Sequence, residues 1–170
     1  MKKIIVATVW SYVVVFFIFS VFLHSSLFWG YDARTHLPNL WFIMQWSILG
    51  SWIGLYLISR QWPAIQLNRR ATTIEIVLGI LTVLSIPYAL FNFLFLEWVL
   101  RGGYPAQIGQ GYFLVLSHGA SPIALSHHEF LRNMLLQSRK VSGHWVFCHI
   151  APLLILHSSY SKIWGSSESS

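Results

Sequence analysis

The sequence contains an uncharged and strongly apolar stretch from Ile76 to Leu96, between Glu75 and Glu97. A helix rises by about 1.5 Å per residue, so a helix of this length crosses the roughly 30 Å hydrocarbon layer of a bilayer. The stretch therefore predicts a transmembrane helix. We expect a kink at Pro87, because proline lacks the amide hydrogen that the helix needs there.

The composition of the whole chain fits a lipid environment. Charged residues make up 9% and hydrophobic residues 55%, whereas an ordinary soluble domain has about 25% charged residues. The net charge of +6 comes from short basic clusters between apolar runs, which is typical of loops held on the cytoplasmic side rather than of a nucleic-acid surface. The single cysteine, Cys148, excludes an internal disulfide. The chain is predicted to be an integral membrane protein that binds no nucleic acid.

The predicted fold class is all-α, a polytopic transmembrane helix bundle with five spans. One transmembrane domain covers residues 1–162, and a polar tail covers 163–170. The spans are expected at about 4–23, 40–58, 76–96, 108–126 and 145–160. The fourth is the weakest, because glycine and proline residues lead into it and interrupt it. The alternative is four spans plus a re-entrant or interfacial segment.

The basic residues favour the five-span version. If 108–126 crosses the membrane, Lys2, Lys3, Arg60, Arg69, Arg70, Arg132, Arg139 and Lys140 all lie inside, and Arg34, Arg101 and Lys162 lie outside. If it does not, the split is six against five. Basic loops are retained in the cytoplasm, so we expect the N-terminus inside, the C-terminus outside, and the cell inner (plasma) membrane as the location.

Residues 122–140 have apolar side chains at roughly helical spacing, which predicts an amphipathic interfacial helix before the last span. Ser126 followed by Glu129 resembles a capping box, so the helix is expected to begin there.

Two of the eight histidines, His118 and His149, fall well inside predicted spans. Two facing imidazoles at similar depth are the axial ligands that a b-type haem requires, so these residues are the candidate cofactor site. The alternative is that each forms a hydrogen bond with a neighbouring helix. Catalytic residues and metal ligands stay unassigned, because no phosphate-binding glycine loop, nucleophile elbow or zincin motif occurs in the sequence.

Small residues mark one face of the second predicted span. Gly50 and Gly54 form a Gly-x-x-x-Gly motif, and Ser47 and Ser51 extend it. Small side chains let two helix backbones approach closely, so this face is predicted to contact another helix of this chain or of a partner.

These features favour an accessory or structural subunit of a larger integral membrane complex, packing through close helix–helix contacts. Its expected partners are the lipid bilayer and other membrane subunits or a second copy. One alternative is a small b-type haem- or quinone-associated electron-transfer protein. Another is a membrane-embedded enzyme or carrier for a lipid-like substrate, with an apolar pocket opened by the kink at Pro87.

Overall fold

The computed structural model describes residues 2–61, 72–116 and 120–165. This part of the chain is mostly helical, which is compatible with an all-α bundle, and it also contains a small antiparallel sheet. The elements are α1 (Lys2–Ser26), a 3-10 turn (Leu27–Trp29), α2 (Ala33–His36), α3 (Pro38–Gln61), α4 (Thr73–Val99), β1 (Tyr104–Ile108), β2 (Gly111–Val115), β3 (Ile123–Leu125) and α5 (His127–Gly165).

Four helices of the described residues are long and apolar enough to cross a membrane. The candidate segments are Ile4–Trp29, Pro38–Arg60, Thr73–Val99 and His127–Ser158. The first three contain the stretches 4–23, 40–58 and 76–96 in which spans are predicted. Helix α4 continues through Pro87, and it begins at a capping box in which Thr72 and Glu75 bind each other's backbone amides.

The segment predicted as the fourth span, 108–126, is not a helix in its described part. It belongs to a three-stranded sheet in the order β1-β2-β3. Gly109 has a φ of +60° in the turn between β1 and β2, a conformation that glycine adopts readily. Strands of five residues or fewer are also too short to cross a bilayer, which takes about nine to eleven. The prediction of a helix here was wrong, because it depended on the distribution of basic residues, which carries no information about backbone conformation.

The interfacial helix predicted over 122–140 and the span predicted over 145–160 form one continuous helix, α5, which begins directly after Ser126, where the capping box predicts it, and ends later than expected. The capping box is present: the Glu129 amide donates to Ser126 Oγ at 3.2 Å, and the Ser126 amide donates to the Glu129 carboxylate at 2.8 Å. Helix α5 also continues to Gly165, into the predicted polar tail. The rest of that tail lies outside the described residues.

Helix α5 lies against the other three long helices. One buried cluster joins α1, α3 and the C-terminal half of α5; it contains Val6, Val13, Leu55, Ile58, Leu153 and Leu156. A second joins the middle of α5 to the opposite end of the same helices; it contains Leu23, Ala33, Trp41, Met44 and Trp145. The N-terminal part of α5 instead contacts all three strands. The bundle is therefore organised around α5.

The small-residue face of α3 contacts α1 of the same chain. The side chain of Val9 would lie 2.7 Å from a Cβ atom placed on Gly54, and the hydroxyl of Tyr12 would clash with one placed on Gly50. Tyr12 also donates a hydrogen bond to the Ser47 carbonyl at 3.3 Å. Ser47 and Ser51 are buried. This face is occupied within the bundle.

Replacing Gly54 with isoleucine should therefore push α1 and α3 apart. Overpacking of this kind costs about 1 to 3 kcal/mol in the free energy of unfolding, measurable by titration with a denaturing detergent. The matched control is Gly79→Ile on α4, where a Cβ atom meets nothing within 4 Å. Equal stability of the two variants would contradict the close contact.

Candidate functional site

A buried histidine connects three helices at the C-terminal end of α1. The Nδ1 atom of His24 lies 2.8 Å from Ser142 Oγ of α5, and its Nε2 atom is hydrogen-bonded to the hydroxyl of Tyr88 on α4. His24 is 7% exposed. A polar side chain inside a membrane bundle is stabilised by such interhelical partners, so His24 holds α1, α4 and α5 together.

A second polar contact lies one turn from the first. Asn92 of α4 donates through Nδ2 to the carbonyl of Arg139 at 3.0 Å. A Cβ atom on Gly143 would lie 2.6 Å from the same Nδ2 atom, so the absence of a side chain there lets α4 approach α5. The Asn92 Oδ1 and Arg139 Nε atoms are buried and have no hydrogen-bond partner among the described residues. We call His24, Tyr88, Asn92, Arg139 and Ser142 the polar cluster.

The connection between α1 and α3 is fixed to α5 by a carboxylate. Asp32 accepts hydrogen bonds from Ser138 Oγ at 2.9 Å and from Thr35 Oγ1 at 2.8 Å. It also accepts from the backbone amide of Arg34 at 3.1 Å, which caps α2. On the other side of α5, Lys140 forms an ion pair with Glu97 of α4. The acidic groups at this end of the bundle are therefore engaged by nearby donors.

The two histidines of the haem hypothesis are placed as follows. His118 lies outside the described residues. His149 is fully buried, with Nδ1 2.7 Å from the Trp145 carbonyl and Nε2 3.0 Å from Ser47 Oγ. Because a carbonyl only accepts, Nδ1 is the donor in that pair. An axial ligand needs a free ring nitrogen, and both of these face protein partners, so this geometry matches the alternative of a hydrogen bond to a neighbouring helix.

The described residues also contain no group of three or more histidine, cysteine, aspartate or glutamate side chains that could hold a metal ion.

One polar side chain of α3 points away from the bundle. Gln45 is exposed and lies in a shallow cleft of about 520 Å³ with Phe42, Trp46, Leu49 and Trp52. All four of these neighbours are large and exposed. Gln45 therefore places an amide on an otherwise apolar surface within a candidate membrane span. We call these five residues the outer face of α3.

Neither His24 nor Asn92 is among the candidate site residues of the sequence analysis. A signal for the polar cluster was present in α5, where Ser138, Ser142 and Gly143 recur at helical spacing and mark a face that another helix can approach. The partners on α1 and α4 are too distant in sequence for any local pattern to reveal.

Four helices of the described residues are long and apolar enough to cross a membrane, and the fold is compatible with an all-α bundle. No family model, curated protein or solved structure matches the chain.

The hydrogen bond between His24 and Ser142 in the polar cluster should contribute to the stability of the bundle. Ser142→Ala removes the α5 partner of His24 and should lower the free energy of unfolding by roughly 0.5 to 2 kcal/mol, as expected for an interhelical hydrogen bond in a membrane bundle. The control is Ser85→Ala, because the Ser85 hydroxyl bonds only to the Thr82 carbonyl of its own helix, at 2.7 Å. Detergent titration measures both. If Ser142→Ala lowers the free energy of unfolding no more than Ser85→Ala does, the contact between His24 and Ser142 does not stabilise the bundle.

Proposed function

We propose that this chain is an accessory or structural subunit of a larger integral membrane assembly, and that it docks through the outer face of α3. The observation that carries the proposal is the position of Gln45, exposed among Phe42, Trp46, Leu49 and Trp52. Lipid covers apolar side chains without cost, but it has no hydrogen-bonding group for an amide in its hydrocarbon layer. A neighbouring helix can supply one.

The other face of α3 supports this choice of surface. Its small residues already contact α1 within the chain, through Val9 and Tyr12, so they are not free to receive a partner. The side chains of the outer face are large, and aromatic residues are common at protein contacts. A partner helix that lies along Trp46 and Trp52 and hydrogen-bonds to Gln45 would cover this cleft.

The proposal includes a topology. Four crossing helices place both termini on one side, which we assign to the cytoplasm of a cell bounded by an inner (plasma) membrane. The strands and the start of α5 then lie outside. In this arrangement six basic residues lie inside and five outside. It therefore lacks the excess of basic residues in the cytoplasm that favoured five spans. What supports it is the number of helices long enough to cross.

Reporter fusions test this topology. Fusions after Arg70 and Ser170 should report the cytoplasm, and a fusion after Gln110, in the turn between β1 and β2, should report the outside. An outside report at Ser170 would mean an additional crossing and would restore the five-span arrangement.

The docking surface is tested by a matched pair of leucines. Leu49 on the outer face of α3 is 51% exposed and Leu84 on α4 is 59% exposed. Leu49→Ala and Gln45→Leu should each move the chain from a large complex toward the monomer on native gels of gently solubilised membranes, because each removes a contact with the partner. Leu84→Ala should leave the complex intact. A monomeric wild-type chain, or equal behaviour of all three variants, would contradict the subunit role.

A further inference from the structure

A cleft of about 440 Å³ lies between the 3-10 turn after α1 and one face of α5. Its basic side chains are His128, Arg132 and Arg139. Its apolar wall comes from Leu27 and Phe28 of the turn and from Leu131, Leu135 and Leu136 of α5. The α5 residues recur three or four positions apart, so they share one side of the helix. The cleft thus combines a positively charged side with an apolar wall.

The positive charge of the cleft is only partly offset by the protein, through the exposed carboxylate of Glu129. Among the described residues, Arg132 and Arg139 form no ion pair. The Arg139 guanidinium carbon lies 4.4 Å from the centre of the Phe28 ring, and its Nε atom is buried without an acceptor. Two nearby acids are engaged elsewhere, Asp32 by Ser138 and Thr35 and Glu97 by Lys140. Glu129 is bound in the capping box and also interacts electrostatically with Arg132, without forming an ion pair with it. An anionic ligand would supply the missing negative charge.

The cleft lies near the ends of the membrane helices. Trp29, directly after α1, is 81% exposed, and Trp98, at the end of α4, is 76% exposed. Exposed tryptophans at helix ends are typical of the headgroup level of a bilayer. The Phe28 side chain, 55% exposed, belongs to the same level and forms part of the cleft. A ligand here therefore meets both the headgroups and the upper part of the hydrocarbon layer.

We propose that this cleft binds an anionic glycerophospholipid. The phosphate is held by the guanidinium groups of Arg132 and Arg139, whose planar donors match two phosphate oxygens. The glycerol and first methylenes of the acyl chains lie against Leu131, Leu135 and Phe28. Charge complementarity selects an anionic over a zwitterionic headgroup, and the apolar wall selects a lipid over a free anion. This inference rests on the helices crossing a bilayer and is independent of the subunit role.

The test uses the full chain in nanodiscs that contain phosphatidylglycerol and phosphatidylcholine in equal amounts. Native mass spectrometry of the chain, after its release from the nanodisc, measures which lipid stays bound to it. The wild type should retain phosphatidylglycerol preferentially. Arg132→Gln and Arg139→Gln should each lower that preference by about fivefold, which is the contribution of one basic side chain near an anionic lipid surface. Because Arg132 is exposed, its replacement tests the site even if Arg139→Gln impairs folding.

The matched control is Arg34→Gln. Arg34 lies at the same end of the bundle and carries the same charge, but it bonds to Gln137 outside the cleft at 3.2 Å. It should keep the wild-type lipid preference, as should Gln45→Leu, which tests only the docking surface.

Three results would overturn the assignment. The first is an equal retention of both lipids by the wild type, and the second is an equal loss of preference in Arg34→Gln and Arg132→Gln. The third is thermal stabilisation of the detergent-solubilised chain by inorganic phosphate as strong as that by phosphatidylglycerol, which would make the cleft a site for free anions.

Discussion

The whole arrangement depends on the packing of α5 against the three other long helices. Polar groups inside a membrane bundle need partners from neighbouring helices, and α5 supplies most of them: Ser142 for His24, the Arg139 carbonyl for Asn92, and Ser138 for Asp32. Glycine at position 143 lets α4 come close enough for the second of these bonds. Apolar packing holds the helices together, and these polar contacts determine which faces meet.

Long uncharged runs made three of the helices predictable. The transfer of an apolar side chain to lipid depends on that side chain alone, so a run such as 76–96 indicates a helix without knowledge of its neighbours. The sheet was not predictable in the same way, because hydropathy does not report backbone conformation. Gly109 adopts a positive φ in the two-residue turn that joins β1 to β2. The continuity of α5 was not predicted from the sequence. The pattern of apolar side chains changes from amphipathic over 122–140 to continuous over 145–160, which indicated two separate helices.

The same distinction applies to the candidate sites: a contact marked by local sequence spacing was predictable, and a contact between distant residues was not. The small residues of α3 indicated a close helix contact from sequence spacing, and the structure places Val9 and Tyr12 of α1 against them. The polar cluster could not be derived, since Tyr88 and Ser142 lie far along the chain from His24. A histidine near the end of an apolar run looks solvated when the helix is considered alone. The outer face of α3 likewise became visible only once the inner face was known.

The dependence of α4 on α5 has a consequence for synthesis. Ribosomes make α1 and α4 before the residues of α5 that bond to them, so His24 and Asn92 are synthesised ahead of Ser142 and Arg139. Until α5 has been made, the Asn92 amide of α4 lacks its partner, the Arg139 carbonyl. The hydrocarbon layer of a bilayer contains no group that could replace it. The earlier helices can therefore reach their final packing only after the last one has been made, so α5 is the element that completes the bundle.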